Sequence, residues 1–257
     1  MTQLFSAQEV SVRFGGLQAL DKLSLDFGEG VIIGLIGPNG SGKTTFFNAL
    51  TGLCRTAGGR ILLDGQDMTG LQPRHVYRRG VTRTFQRSRL CLSLSVFDNV
   101  AIGRQNALDL GLIGNLLRRG AFAEAVRSNH ERVRDLLATF SAPLADRIFE
   151  PLHRLNMIDR RRIEVCRALI GEPRLLLLDE PSAGMTPDET HEFMADILKV
   201  RRGNPRMSII IIEHEMDLMQ RVAERCIVLN YGRKVADGTF DEVVADPWVQ
   251  EAYLGTS

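Results

Sequence analysis

The order of apolar and polar residues predicts a sheet in the first third of the chain. Residues 31–36 are apolar without polar alternation, which is typical of a strand buried on both faces in an α/β protein. Short segments rich in β-forming residues and bounded by turns predict four more strands, at residues 9–13, 23–27, 60–63 and 81–85.

A helical pattern replaces these strands from about residue 90 to residue 169. Apolar residues recur on one helix face at Val126, Val133, Leu136, Leu137 and Phe140, which predicts a helical insertion. Strands are then expected at 174–178, 207–212 and 226–229, alternating with helices at 187–202 and from residue 215. This alternation implies a mostly parallel sheet. Residues 104–127 fit either a loop or paired short helices.

Composition and charge narrow the class of protein without identifying it. The chain has 257 residues, 44% hydrophobic content and a net charge of +1, which gives no overall field to attract nucleic acid or an anionic membrane. Its apolar runs are shorter than the roughly 20 residues of a membrane helix and no signal peptide is recognised, so we expect a cytosolic location. The four cysteines form no C-x-x-C pair, which argues against a disulfide framework or a zinc site.

A glycine-rich segment after the strand at 31–36 gives the strongest chemical signal. It fits G-x-x-x-x-G-K-[ST] and precedes a helix-forming run at residues 45–50, the context that distinguishes a phosphate-binding loop from a simple glycine turn. Glycines let backbone N–H groups converge on phosphate oxygens, the lysine adds positive charge, and the threonine offers a hydroxyl to Mg²⁺. The residues are Gly37, Pro38, Asn39, Gly40, Ser41, Gly42, Lys43 and Thr44.

A second apolar strand, at residues 174–178, is followed by two acids, Asp179 and Glu180. An aspartate at the end of a buried strand beside a phosphate loop can hold the Mg²⁺ shell, and the next glutamate can deprotonate water for attack on a γ-phosphoryl group. Alone, the pair could be a charged strand end. Together with the phosphate loop it predicts a hydrolytic site.

Four motifs in this order make the chain similar to the ABC ATPases. They are the phosphate loop, Thr84-Phe85-Gln86, Asp179-Glu180-Pro181 and Ile211-Ile212-Glu213-His214. The resemblance covers essentially the whole chain. It implies an α/β fold with a P-loop NTPase (RecA-like) core, a mostly parallel sheet, an antiparallel β subdomain and a helical subdomain. The single ABC ATPase domain, residues 1–257, would comprise a core at 1–89 and 170–257 and a helical subdomain at 90–169.

The resemblance also implies roles for single residues, with ATP and Mg²⁺ as cofactors. Gln86 would contact the metal and the attacking water, His214 would contact the γ-phosphate, and Phe14 would stack on adenine. The resemblance also implies that Thr45 binds the nucleotide together with residues 37–44. Taken singly, Phe14 also fits a core residue, Gln86 a polar strand end and His214 a capped histidine. The implied metal-binding residues are Thr44, Gln86 and Asp179.

One motif of the family is altered in this chain. ABC ATPases begin a helix with Leu-Ser-Gly-Gly-Gln, which binds the γ-phosphate of ATP held by the other subunit. The corresponding residues are Leu155, Asn156, Met157, Ile158 and Asp159, and the leucine alone matches. We expect poor γ-phosphate binding by this signature segment, because Met157 and Ile158 add bulk and Asp159 adds negative charge.

Two features near this segment are weaker signals. In Ala183-Gly184-Met185-Thr186, a threonine stands where many members have aspartate. A group of arginines could suggest nucleic acid, but arginines are usual after the signature in this family, so we expect a solvated or partner-facing helix. These arginines are Arg160, Arg161, Arg162 and Arg167.

Further segments resemble one branch of the family, the ATPase subunits of bacterial branched-chain amino acid importers. They are residues 14–20, 84–86, 94–100 and 252–255 and the insertion after Arg104. The resemblance implies two permease subunits, a second ABC ATPase subunit and, indirectly, a periplasmic solute-binding protein as partners, with no nucleic acid. The chain would lie peripherally at the cytoplasmic face of the inner membrane. Because the branch also includes importers of urea, amides and aromatic acids, the solute is not specified.

Three alternatives stay open on the sequence. One is a similar ABC ATPase that serves lipopolysaccharide export, against which the Gly15-Gly16-Leu17 segment and the long insertion argue. Another is a soluble ABC protein that acts on DNA or ribosomes, which usually has two modules or long coiled coils, whereas this chain has one module without sustained heptads. The third, a non-hydrolytic regulatory subunit, is suggested by the altered signature.

Overall fold

The computed structural model describes residues 3–86, 89–104 and 119–254. By their contacts the residues form two units, which we call the sheet unit (1–83, 174–181 and 204–257) and the helical unit (84–173 and 182–203). The helix at Pro187–Gly203 lies in the helical unit, although the sequence division placed it in the core. How these units correspond to functional subdomains stays a prediction.

An antiparallel sheet of order β2-β1-β4-β5 forms one part of the sheet unit. In β2, Leu23, Leu25 and Phe27 are buried and alternate with more exposed polar residues, so one face of the sheet is covered. This sheet is the expected antiparallel β subdomain. Its strands are β1 (Gln3–Phe14), β2 (Leu17–Gly28), β4 (Gly58–Leu63) and β5 (Gln66–Asp67).

The second sheet has the order β10-β9-β3-β8-β7-β6 and is parallel except for β10. Every residue of β3, β7 and β8 is buried, as their unbroken apolar sequences predict. The mostly parallel sheet is confirmed, although the strand predicted at 81–85 ends at Arg83. The strands are β3 (Ile32–Ile36), β6 (Val81–Arg83), β7 (Leu175–Asp179), β8 (Ser208–Ile212), β9 (Arg225–Asn230) and β10 (Arg233–Gly238).

Both units contain helices. In the sheet unit, Phe46 and Phe47 of the first helix are fully buried in a core that includes Leu177 and Ile210 of the parallel sheet. Short 3₁₀ turns lie at Ile102–Arg104 and Leu152–Arg154. The helices are α1 (Lys43–Leu50), α2 (Pro73–Arg78), α3 (Val96–Ala101), α4 (Arg119–Phe140), α5 (Ala142–Asp146), α6 (Met157–Leu169), α7 (Pro187–Gly203), α8 (Met216–Val222), α9 (Phe240–Val244) and α10 (Pro247–Leu254).

The helical unit is organised around α6, most of whose side chains are buried. The Arg162 guanidinium contacts Asp159 at 3.4 Å, Glu192 at 2.6 Å and Asp196 at 2.8 Å, and so ties α6 to α7. Arg161 is also buried and donates to the Ala183 carbonyl at 3.2 Å. The expectation of a solvated or partner-facing helix face is therefore wrong for Arg161 and Arg162, because both are buried and held by contacts within the unit.

The sequence fits either a loop or paired short helices at residues 104–127. Residues 105–118 lie outside the described part of the chain, and residues 119–127 form the first part of α4. In the parts of the chain that the structure describes, no helix combines the length and apolar character needed to span a membrane.

We predict that Arg162→Met lowers the free energy of unfolding by about 3 kcal/mol, because it leaves partly buried carboxylates without their cation. The matched control is Arg134→Met. Arg134 and Asp146 form an exposed pair at 3.5 Å, whose loss should change stability by less than about 1 kcal/mol. Denaturant unfolding followed by circular dichroism measures both. Equal, small effects of the two substitutions would contradict the structural role of Arg162.

Candidate functional site

The phosphate loop connects β3 to α1 in a conformation that requires glycine. Gly37 has φ +150°, and a Cβ there would lie 2.2 Å from the Leu229 carbonyl oxygen. Gly42 has φ +107°, and a Cβ there would lie 2.8 Å from the Ala19 carbonyl oxygen. Any side chain at these positions would collide with backbone. The loop is thus pressed against β2 and β9, which fixes the path of its own backbone.

The turn between β9 and β10, which is distant from the phosphate loop in sequence, is hydrogen-bonded to that loop. The Gly232 N–H, between β9 and β10, donates to the Ser41 carbonyl at 2.9 Å, and the Asp21 N–H donates to the Gly232 carbonyl at 3.0 Å. Within the loop, the Ser41 N–H donates to the Pro38 carbonyl at 3.2 Å. Strands distant in sequence therefore stabilise the loop, whose N–H groups at the start of α1 form an anion-binding arrangement.

Lys43 lies at the first position of α1 and is buried. Its Nζ donates to the carbonyl oxygens of Gly37 at 2.6 Å and Pro38 at 3.1 Å. Burial lowers the pKa of Lys43, while the nearby carboxylates of Glu180 and Asp179 act in the opposite direction. The ammonium group is therefore held over the loop and beside both acids.

A buried hydroxyl in the loop also fits a phosphate ligand. The Ser41 Oγ has no hydrogen-bond partner among the described residues, although the side chain is almost completely buried. A buried polar group without a partner is unfavourable, so an acceptor such as a phosphate oxygen would satisfy it. Thr44 is exposed and Thr45 half-buried at the start of α1, where both are accessible to a bound nucleotide. The residues of the loop therefore fit the triphosphate of ATP.

The predicted acid pair lies at the carboxyl end of β7. Asp179 is buried, and its Oδ2 accepts a hydrogen bond from Arg83 at 2.6 Å. The next residue, Glu180, has φ +48°, a left-handed conformation that is strained for a glutamate, and its N–H donates to the Ile212 carbonyl at 2.9 Å. Strain of this kind is concentrated at functional sites. The turn directs the two acids differently, since one is buried and the other is partly accessible.

His214 is placed beside Glu180 by the neighbouring strand. Strand β8 pairs with β7 in parallel, with Asp179 opposite Ile212, so the residues that follow both strands meet at one edge of the sheet. The His214 Nε2 lies 3.0 Å from the Glu180 Oε1. The structure thus brings Lys43, Asp179, Glu180 and His214 into one site of the sheet unit. This contact adds a partner that the alternative of a capped histidine does not require, and the contact of His214 with the γ-phosphate stays a prediction.

The structure also shows where two other predicted site residues, Phe14 and Gln86, lie. Phe14, the last residue of β1, is 51% exposed, so the alternative of a core residue is wrong and its ring is available for stacking. Its contact with adenine stays a prediction. Gln86 is exposed and belongs to the helical unit, and its role at the metal and the attacking water also stays a prediction.

The altered signature forms the start of α6. Asn156 caps the helix by accepting a hydrogen bond from the Asp159 N–H at 2.8 Å, as a serine in that position could. Ile158 is buried, and the Asp159 carboxylate lies 3.4 Å from Arg162 and 3.9 Å from Arg147. Asp159 therefore has two cationic neighbours, and its effect on phosphate binding stays a prediction. Met157 is 51% exposed, so it is the side chain that most obstructs this helix start.

Arg83 is a residue of the site that the sequence did not identify. Arg83 is the last residue of β6, and its side chain is buried against Asp179 and against Phe47 and Asn48 of α1. A cation at the end of a short strand, directly before Thr84-Phe85-Gln86, was the available signal. Its partner could not be identified, because 96 residues separate Arg83 from Asp179.

Comparison with known proteins places this site in a family. Residues 20–183 match the family model of the ABC transporter. Residues 233–257 match a second model, that of the branched-chain amino acid ATP-binding cassette transporter.

Relatives and solved structures agree over nearly the full length. The chain is 37% identical to the high-affinity branched-chain amino acid transport ATP-binding protein LivG of Salmonella typhimurium, covering 98% of each chain. It is 35% identical to the corresponding protein BraF of Pseudomonas aeruginosa, covering 96% of this chain and 95% of that one. A nucleotide-free ATP-binding cassette from an ABC transporter superposes with a TM-score of 0.84 at 26% identity, covering 99% of this chain and 100% of that one.

We predict that Lys43→Ala weakens ATP binding about 100-fold, because a buried, charge-assisted contact to phosphate is lost. Isothermal titration calorimetry of the purified chain with ATP measures the change. Lys22→Ala is the control, since Lys22 is exposed on β2 and should bind ATP like the wild type. Unchanged affinity in Lys43→Ala would show that the phosphate site has been wrongly assigned.

Proposed function

Because this chain belongs to the family of ABC transporter ATPases, we propose that it is the ATP-binding subunit of an importer for branched-chain amino acids or related small solutes. The observation that carries the proposal is the 37% identity over 98% of both chains to a branched-chain amino acid transport ATP-binding protein. The match of residues 233–257 to the branched-chain model supports it independently. Both favour the importer over the lipopolysaccharide-export and soluble alternatives.

In the proposed reaction the phosphate loop binds ATP and the acid pair acts on water. Lys43 and the N–H groups at the start of α1 stabilise negative charge on the phosphates. Glu180 accepts a proton from the water whose oxygen attacks the γ-phosphorus, while the bond from that phosphorus to the ADP oxygen breaks. His214, 3.0 Å from Glu180, orients the carboxylate and reaches toward the γ-phosphate. Phe14 stacks on adenine.

Mg²⁺ fits the same site through oxygen ligands. Thr44 offers a hydroxyl from α1 and Asp179 a carboxylate from β7, and both are ligand types that Mg²⁺ prefers. When bound, Mg²⁺ would neutralise charge on the phosphate oxygens. Asp179 suits the metal rather than the proton, because it is buried and ion-paired, which leaves the more accessible Glu180 as the base. Gln86 is assigned to the metal, to the attacking water and to sensing of the permease on the family resemblance.

The proposal includes partners and a location. The relatives are named as transport ATP-binding proteins, which supports association with membrane permeases. We assign two permease subunits, a second ABC ATPase subunit and, indirectly, a periplasmic solute-binding protein, with no nucleic acid. The chain would be peripheral at the cytoplasmic face of the inner membrane. The solute would be selected by those partners, since the described site of this chain is built for phosphate.

The altered signature suggests that the two ATP sites of the assembled pair differ. This chain's Lys43, Asp179, Glu180 and His214 would form an active site with a regular signature of the partner ATPase. The opposite site would combine the partner's phosphate loop with this chain's signature segment, where the half-exposed Met157 replaces glycine. We propose that the first site hydrolyses ATP and the second mainly holds it.

An uptake experiment with Glu180→Gln tests the importer function. In a host that lacks the chain, we expect uptake of leucine, isoleucine and valine, or of urea, amides or aromatic acids, to be lost and to return with the wild-type chain. Glu180→Gln should bind ATP normally but lower uptake by about 100-fold or more, because the general base is missing. Glu215→Gln, a neighbouring exposed change, is the control. Unchanged uptake of all these solutes without the chain, or normal uptake with Glu180→Gln, would contradict the proposal.

The purified chain alone should hydrolyse ATP slowly, because a homodimer contains the altered signature in both sites. Missing donors to the γ-phosphate cost about 3 kcal/mol in the transition state, or more than about a hundredfold in rate. Replacing the segment by Asn156→Ser, Met157→Gly, Ile158→Gly and Asp159→Gln should raise the rate, and so should the milder Met157→Gly alone.

The control for this ATPase assay is Phe149→Gly, which removes another exposed apolar side chain of the helical unit. It should leave the rate of the isolated chain unchanged. Rapid hydrolysis by the unmodified chain alone would contradict the proposal of unequal sites.

A further inference from the structure

Arg83 joins three elements around the predicted metal-binding carboxylate. Its side chain is 5% exposed, and its Nη2 donates to the Asp179 Oδ2 at 2.6 Å. Its Nη1 donates to the Asn48 Oδ1 at 2.8 Å, and the guanidinium lies 5.3 Å from the centre of the Phe47 ring. One planar group from β6 therefore contacts β7 and α1 together.

The register of the sheet explains how this arrangement forms. Arg83 pairs with Leu177 on the adjacent parallel strand, so their side chains project from the same face of the sheet. Asp179 lies two residues beyond Leu177 and shares that face. Leu177 belongs to the core that contains Phe46 and Phe47, which identifies this face as the one covered by α1. The Arg83 side chain thus extends toward the carboxyl end of β7 and lies between the sheet and α1, the helix that contains Lys43 and Thr44.

We propose that Arg83 is a positioning residue for the metal site, which sets the orientation of the Asp179 carboxylate relative to α1. This inference rests on the proposed function, in which Asp179 and Thr44 hold Mg²⁺ on ATP. The two ligands come from different elements, β7 and α1, and the Arg83 contacts to Asp179 and Asn48 connect those elements directly. Arg83 acts through Asp179 and does not itself contact the nucleotide.

The chemistry of arginine suits this role better than that of lysine. A guanidinium presents several donors in a rigid plane, so it can hold a carboxylate and an amide oxygen at fixed angles at the same time. A lysine ammonium retains the charge but not this geometry. Partners that hydrogen-bond to a metal-ligating group commonly affect metal affinity about 10- to 100-fold when they are changed.

The experiment measures how much Mg²⁺ strengthens ATP binding. The affinity of the purified full-length chain for ATP is determined by calorimetry with excess Mg²⁺ and again in EDTA, and the ratio of the two affinities is compared between variants. We expect Arg83→Lys to lower this ratio about 10-fold while the affinity in EDTA changes less than about twofold. Arg83→Gln, which removes the charge, serves as a second variant if Arg83→Lys folds poorly, and is expected to lower the ratio at least as much.

A matched control separates positioning from a general effect on stability. Arg174 also joins separate segments of the sheet unit, by donating to Glu29 and to Asp64 at 2.6 Å, but it directly precedes β7 and lies at the opposite end of that strand from Asp179. Arg174→Lys should leave the Mg²⁺ ratio unchanged, whatever its effect on the melting temperature. In an Asp179→Asn background, Arg83→Lys should cause no further loss, because the group that it positions has been replaced.

The outcomes distinguish this inference from the function on which it rests. A wild-type Mg²⁺ ratio retained in Arg83→Lys and Arg83→Gln would overturn the role of Arg83 and leave the metal site intact. Loss in Arg83→Lys that is equally large in the Asp179→Asn background would also overturn it. If Mg²⁺ does not strengthen ATP binding even in the wild-type chain, the metal assignment itself is wrong and the inference is overturned with it.

Discussion

The backbone path of the phosphate loop is the constraint on which the rest of the site depends. Gly37 and Gly42 lie so close to the carbonyls of Leu229 and Ala19 that no side chain fits there. The hydrogen bond from Gly232 to Ser41 fixes the loop from the hairpin side. Since these contacts come from β2, β9 and the β9–β10 turn, the loop is formed only when the sheet unit is assembled. Its N–H groups are then already oriented toward a phosphate.

The site also requires that its buried charged side chains be paired with groups of opposite charge, and the structure provides these pairs. Asp179 is neutralised by Arg83, and the Lys43 ammonium lies near two carboxylates. Breaking a buried ion pair is strongly unfavourable, which keeps these side chains in place. Glu180 differs because its side chain is partly exposed and contacts His214, and because its backbone is strained, as is common at functional sites. One turn therefore provides both a fixed carboxylate, for which we propose the metal, and a more accessible one, for which we propose the role of base.

The sequence predicted the parts of the fold and site that are encoded locally. Unbroken apolar runs identified β3, β7 and β8, and the spacing of Gly37, Lys43 and Thr44 located the phosphate loop. The contacts of Arg83 with Asp179 and of Arg162 with α7 could not be predicted, because each depends on residues that only the folded chain brings together. For the same reason the ion pairs of Asp159 could not be predicted. Its sequence position indicates a negative charge near phosphate, and the structure adds Arg147 and Arg162 as cationic neighbours of that charge.

We propose that residues 37–45 and the acids after β7 form one Mg-ATP site, and a crystal structure of the Glu180→Gln chain with ATP and Mn²⁺ would test this. Anomalous scattering locates the manganese independently of the protein atoms. We expect the triphosphate on the N–H groups of the loop, with the metal about 2.0–2.2 Å from oxygens of Thr44 and of the phosphates and with Asp179 among the groups around it. Nucleotide bound away from Lys43, or a metal peak distant from both Thr44 and Asp179, would contradict it.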